Sequence, residues 1–368
     1  MSDTNDFSAD RRQFVRMAGI GAVAGAGILA SAKASTAHGK EKHGAVPTPA
    51  AADGSFVGGT VKEGLVVADP TKLPAPITYK TPRSHDVELV VKRVKSEILP
   101  GVTHTFMTFN GQIPGPMIRA RQGDTLRITV TNPAENVESH SIDLHAVYGT
   151  GGGGEFTEVA AGESKTFTFK ALYAGAFIYH CGVANMDEHI SRGMFGMIVI
   201  EPEEGLPKVD REIYLGQHEL YTKEGFGQKG EANFSGRNMV KEDPTYVMFN
   251  GAVAPFVNGR FGTIKANVGE TVRVFLVTGG PNKTSSFHPV GNVWSKAWPQ
   301  GGLANPPLNF IQTWPSSPGS AFVGDMHLPV PQLVTLVDHS LSRVTSKGNA
   351  AQIEVIGDPQ PDILKTEG

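Results

Sequence analysis

The chain carries a single cysteine, Cys181, among 368 residues, so no intrachain disulfide can form and the thiol must be buried or given other chemistry. Neither sign of charge is in large excess: 33 Lys and Arg against 36 Asp and Glu leave a net charge of −3. That balance excludes a global attraction to nucleic acid or to an anionic membrane. Long hydrophobic runs are missing too. The apolar stretch from Met17 to Ala30 is shorter than the ~20 residues of a usual spanning helix, and no later segment reaches that length. The glycine run Gly151 to Gly154 lacks a following Lys-Ser/Thr, which excludes a nucleotide loop and leaves a flexible loop beside a site.

What is abundant is glycine, 44 residues, and proline, 25, separating short runs of Val, Thr, Ile and Phe. Many short strands joined by turns give an all-β expectation, and the length suits two domains of about 150 residues each. Residues 1–37 read as an export signal: Arg11 and Arg12 in the string Asp10 to Val15 precede the apolar stretch, which resembles a twin-arginine signal. The mature chain is therefore expected in the periplasm without a membrane span. Residues 38–80, rich in Ala, Gly, Pro and Lys, are expected to form a mobile arm or a strap over the first domain, with His38 and His43 solvated. The first domain is placed at 81–204 and the second at 205–357, with a tail at 358–368. The boundary is drawn where Glu201 to Pro207 interrupts the strand pattern.

The two halves repeat. Phe109-Asn110-Gly111 followed by Gly123 to Ile128 returns as Phe249-Asn250-Gly251 followed by Gly269 to Val274, and Tyr179-His180-Cys181 is matched by Asp338-His339-Ser340. Strands such as Leu126 to Val130 alternate as a half-buried strand must. Two duplicated β-sandwiches are expected.

Cys181 ends an apolar strand, and His189 follows it by eight residues and Met194 by five more. A thiolate, an imidazole and a thioether, completed by His140 from a distant strand, make the trigonal site with a weak axial sulfur that holds redox-active copper. The plainer possibility is a buried Cys181 with Met194 as core filler. His140 and His145 differ by an odd number of residues, and His180 adjoins Cys181, so in extended chain each pair points to opposite faces. His145 and His180 then converge on an outer side, where a second metal would sit, joined to the first by the Cys181-His180 peptide. His339, at the repeat position of His180, is the natural third ligand. The second half has Ser340 in place of a cysteine and cannot build its own blue centre. Asp143 shares the parity of His145 and faces the outer metal. His288, at roughly the repeat position of the His140 to His145 segment, is the remaining acid/base candidate. His85, His104, His218 and His327 have no partners at ligand spacing and are read as structural or solvated.

The strings His140-Ser-Ile-Asp143-Leu-His145, His180-Cys181 through His189 to Met194, Ser286-Phe-His288 and Leu336-Val-Asp-His339-Ser-Leu resemble the copper-containing nitrite reductases from about Thr81 to Gly357. The resemblance implies two tandem Greek-key cupredoxin domains assembled as a homotrimer, with two copper ions per chain. It implies type 1 copper on His140, Cys181, His189 and Met194, and type 2 copper on His145, His180 and a His339 from a neighbouring subunit. Asp143 and His288 are implied to handle protons, and Val290 to lie over the substrate. The expected reaction is the reduction of nitrite to nitric oxide, the electron arriving from a small cupredoxin or c-type cytochrome and passing through Cys181-His180. Pro289 after His288 departs from the usual pattern. A multicopper oxidase shares the fold but needs several His-X-His pairs, which are absent. An electron carrier would keep only the Cys181 centre and bind one copper per chain.

Overall fold

The computed structural model describes residues 46, 54–365 and 367. The expected export signal, His38 and His43 lie outside the described residues. No described helix is long and apolar enough to cross a membrane.

The structure is mostly strand. The first half contributes β1 (Phe56–Val57), β2 (Ser84–Leu99), β3 (Val102–Phe109), β4 (Gly115–Arg121), β5 (Thr125–Thr131), β6 (Asp143–Leu144), β7 (Ser164–Lys170), β8 (Gly175–His180) and β9 (Phe195–Glu201). The second contributes β10 (Arg211–Leu220), β11 (Gly230–Glu231), β12 (Tyr246–Phe249), β13 (Ile264–Asn267), β14 (Thr271–Gly280), β15 (Ser285–Val290) and β16 (Trp294–Trp298). It ends with β17 (Leu308–Ile311), β18 (Trp314–Ser316), β19 (Ser320–His327), β20 (Gln332–Asp338) and β21 (Ala350–Ile356).

These strands build four sheets, in the orders β11-β3-β2-β5-β7, β1-β4-β9-β8-β6, β12-β10-β14-β19-β16-β17 and β13-β21-β20-β15-β18. Strand alternation decides how the sheets stack, because every strand buried on both sides serves two cores. Leu126, Ile128, Tyr179 and Ile198 pack between the first two sheets. Ile178, Met197, Tyr214, Phe275 and Val323 pack between the second and third. Val274, Phe287, Phe322 and Leu336 pack between the third and fourth. The molecule is thus a four-layer stack, two sandwiches with an apolar core of their own between them.

The duplication extends to single hydrogen bonds. Asn110-Gly111 and Asn250-Gly251 all have positive φ, as a tight hairpin turn requires. Asn110 Oδ1 accepts from Val90 N–H at 2.6 Å, and Asn250 Oδ1 accepts from Gly216 N–H at 2.9 Å.

Residues 54–80, for which a mobile arm was one expectation, instead run as a strap across both halves. The strand β1 pairs with β4, and Val66 and Val67 are fully buried, Val66 in the central core and Val67 in that of the second sandwich. Apolar side chains in the strap explain the docking, since exposing them would forfeit about 1.5–3 kcal/mol each.

Candidate metal centres

The strand β8 delivers two neighbouring residues to two places. Ala176 and Ile178 face the central core, whereas Tyr179 and Cys181 face the core of the first sandwich. His180, at the end of β8, therefore looks away from Cys181. His189 arrives from the short helix Met186–Ser191, which follows β8, and His140 from a segment bridged to Val159.

Cys181 Sγ lies 3.3 Å from His189 Nδ1 and 3.8 Å from His140 Nδ1, all three side chains being buried. Met194 is fully buried in the same core, its carbonyl accepting from Cys181 N–H at 3.1 Å and its N–H donating to His189 O at 2.9 Å. Burial pushes the Cys181 thiol up, and burial with the neighbouring His189 pushes His140 down to about 4. Without a cation the pocket would hold a neutral thiol between neutral imidazoles. A soft metal that displaces the thiol proton suits that donor set.

On the other side of β8, His145 Nε2 and His180 Nε2 stand 3.2 Å apart. His180 Nδ1–H donates to Cys181 O at 2.9 Å, and His145 is hydrogen bonded to the backbone of Gly319, in the second half. With Nδ1 engaged, His180 directs a lone pair toward His145, the ring orientation that backbone carbonyls impose on metal-binding histidines. Burial and the neighbouring His180 lower the pKa of His145. Asp143 pairs in register with His180, and its Oδ2 lies 3.9 Å from His180 Nε2. Among the described residues, His140, Cys181 and His189 form one group of close metal-binding atoms, and Asp143, His145 and His180 form another.

The structure does not bring His288 or His339 to either group. They form a pair of their own, rings 5.2 Å apart at 81°, which reproduces the 5.2 Å and 77° of His145 and His180. Strand register explains the likeness. Leu144 lies opposite Tyr179 as Phe287 lies opposite Asp338, so His145 corresponds to His288 and His180 to His339. Each half carries the same histidine pair on equivalent strands. The first pair sits on the second layer against the third, and the other sits on the fourth layer, beyond the second sandwich's core. Pro289 keeps its place in β15 opposite Leu336, and His288 Nδ1–H donates to Gln312 O at 2.9 Å. Val290 shares that face and is 44% exposed.

One neighbour falls in the glycine loop expected beside the site, and another was not foreseen. A Cβ on Gly152 would stand 1.9 Å from Asp143 Oδ1, so the glycine run lies directly over that carboxylate; the run itself was the only signal. Asn185 Nδ2 lies 3.1 Å from His189 Nε2, and nothing in its spacing marks it. Three of the other described histidines have structural partners. His85 bonds Asp124 at 2.8 Å, while His104 and His218 are buried with Nδ1 donating to Ala232 O and Ser191 O. His327 is exposed.

Residues 90–205 match the multicopper oxidase family model. The chain is 42% identical over 279 residues to a copper-containing nitrite reductase of Neisseria gonorrhoeae, covering 76% of this chain and 69% of the relative. It is 34% identical to another from Cereibacter sphaeroides, covering 70% and 73%. Among solved structures, the copper nitrite reductase of Nitrosomonas europaea superposes with a TM-score of 0.67 at 33% identity, over 76% of this chain and 96% of that one.

Proposed function

The chain belongs to the copper-containing nitrite reductases, and from that premise we propose that it reduces nitrite to nitric oxide, using two coppers per chain. His140, Cys181, His189 and Met194 would hold the inner, type 1 ion. His145 and His180, with His339 of a neighbouring copy, would hold the outer, type 2 ion. Copper supplies a one-electron store at the inner site and a Lewis acid with an open position at the outer.

The observation that carries this reading is the pair of facing Nε2 atoms on His145 and His180, one peptide bond from a buried cysteine between two imidazoles. Two imidazoles leave an ion under-ligated, and His339 occupies the wrong layer of its own chain to complete the set. It is exposed, as a donor to another copy must be. Closed cyclic assembly lets each copy give and receive one histidine, which fits the homotrimer.

Nitrite takes up one electron and two protons and leaves as nitric oxide and water. Asp143, beside the His180 Nε2 atom, is placed to relay one proton through its carboxylate. His288, with Nδ1 engaged by Gln312 O, offers Nε2 for the other. Val290 presents an apolar wall on the face of His288. The Cys181-His180 peptide joins the two ligand sets by covalent bonds and is the path for the electron, delivered by a small cupredoxin or c-type cytochrome in the periplasm. A multicopper oxidase reading lacks its His-X-His pairs.

The deciding experiment is nitric oxide release, at an electrode, from copper-loaded protein given nitrite and a reduced dye without oxygen. Release that stops when the outer copper is removed supports the reading. A blue protein with two coppers per chain and no release would overturn it.

A further inference from the structure

An exposed ligand that must meet a metal on another surface needs a rigid backbone beneath it. His339 stands just beyond the end of β20, and the residue before it is tied into a buried network. Asp338 is fully buried. Its Oδ1 accepts from Ser286 N–H and Ser340 N–H, both at 3.0 Å. Its Oδ2 accepts from Arg343 Nη1 at 2.6 Å and Gln217 Nε2 at 3.2 Å. The Asp338 N–H donates to Asn349 Oδ1 at 2.7 Å, and Asn349 Nδ2 donates to Gln217 Oε1 at 3.1 Å, which also accepts from Ser285 Oγ at 2.8 Å. Arg343 Nη1 also reaches Thr284 O at 2.6 Å, and His339 N–H donates to Ser286 O at 2.7 Å.

The peptide on each side of His339 is therefore held, as is the strand that carries His288. The network crosses the second core, from β15 and β20 on the fourth layer to Gln217 of β10 on the third. Burying a carboxylate is unfavourable by several kcal/mol unless its oxygens are well supplied with donors, so ending a strand is a poor reason to place one here. The first half ends the equivalent strand without a carboxylate. There the counterpart of Asp338 is Tyr179, whose hydroxyl donates to Pro116 O, and the next inward residue is Cys181, within reach of His140 and His189. The second half has Ser340 at that point and no metal-binding set to tie the strand end. The carboxylate network stands in its place.

We propose that Asp338, supported by Arg343, Gln217 and Asn349, is a positioning residue for the outer copper: it fixes the backbone of His339 and of the His288 strand, and so sets how firmly the assembled protein holds that ion. The inference rests on the reading of His339 as an outer-copper ligand. It is tested on the copper-loaded holoprotein by a timed chelator challenge, with the outer copper followed by metal analysis and electron paramagnetic resonance and the inner by its blue absorbance. Asp338→Asn puts an amide where the carboxylate meets Arg343, and should weaken retention of the outer copper by about 10- to 100-fold while the blue absorbance stays. Arg343→Gln, at a partly exposed position, should act in the same direction, and Arg343→Lys should recover part of the loss. If Asp338→Asn does not fold, the Arg343 pair decides alone. Outer-copper retention within twofold of the parent, or loss of both coppers together, overturns the proposal. His339→Ala is the control: if it keeps its outer copper, the ligand assignment fails instead.

Discussion

Asp143 shows how much a single side chain's position settles. Its carboxylate is partly exposed, pairs in register with His180, and lies beside the atom that would bind the outer copper. Asp143→Asn keeps the shape but removes the proposed proton carrier, so turnover should fall by about 10²–10⁴-fold while the blue absorption persists. Unchanged turnover would remove Asp143 from the mechanism. A second residue-scale outcome concerns acid. Burial pushes His104 and His218 down to about 4 each. In the unfolded chain these imidazoles take protons below about pH 6.5, but in the folded chain only near 4, so stability is full above pH 6.5 and declines as pH drops toward 4. The loss is on the order of 3 kcal/mol per group by pH 4. His218→Gln should flatten the pH dependence of the urea midpoint in that window. A slope equal to the parent's would contradict this account.

At the scale of elements, strand alternation separates the two centres. Because side chains alternate at period two, Cys181 and His180 could be assigned to opposite faces of one strand from spacing alone, and the cores on either side of β8 agree. The loop that covers Asp143 was not legible in the same way. Thr150, Gly151, Gly152 and Gly153 all have positive φ, a backbone whose path no periodicity encodes. Gly152→Ala would add left-handed strain of about 1–2 kcal/mol and drive a methyl into Asp143 Oδ1. Backbone atoms of Leu144 also stand 2.8 Å from that methyl, so we expect stability lowered by at least that strain, retained blue colour and a large loss of turnover. A variant as active as the parent would show that the loop yields without disturbing Asp143.

The whole molecule depends on how its sandwiches join. A chain of buried charges crosses the junction: Arg119 bonds Glu201 and Glu212, and Arg273 bonds Asp325 and lies 3.7 Å from Glu212. Burial alone would disfavour the Arg119 charge, but Glu212 and Glu201 hold its pKa above the ordinary value. Arg119→Met leaves two carboxylates facing each other with one cation fewer, and should destabilise by about 3–5 kcal/mol, read as a lowered denaturation midpoint. Assembly gives a further test. Leu333 is 49% exposed on the face that carries His288 and His339. Leu333→Asp should shift sedimentation from the proposed trimer to monomer and release the outer copper, with the inner copper kept. A monomer that retained both coppers would refute the shared site.

The sequence by itself determined what is local or periodic: the all-β class, the duplication visible in the two Phe-Asn-Gly turns, the opposite facing of neighbouring histidines, and the thiolate set around Cys181. These follow from side-chain chemistry and a strand period of two, which need no knowledge of distant chain. Only the tertiary structure decided which surfaces meet. It laid residues 54–80 across both halves, set Gly319 of the second half against His145, placed the glycine loop over Asp143, and put His288 and His339 one sandwich away from His145 and His180. Those placements arise from the packing of apolar faces between sheets, and burial is a property of the whole stack that no short stretch of residues contains.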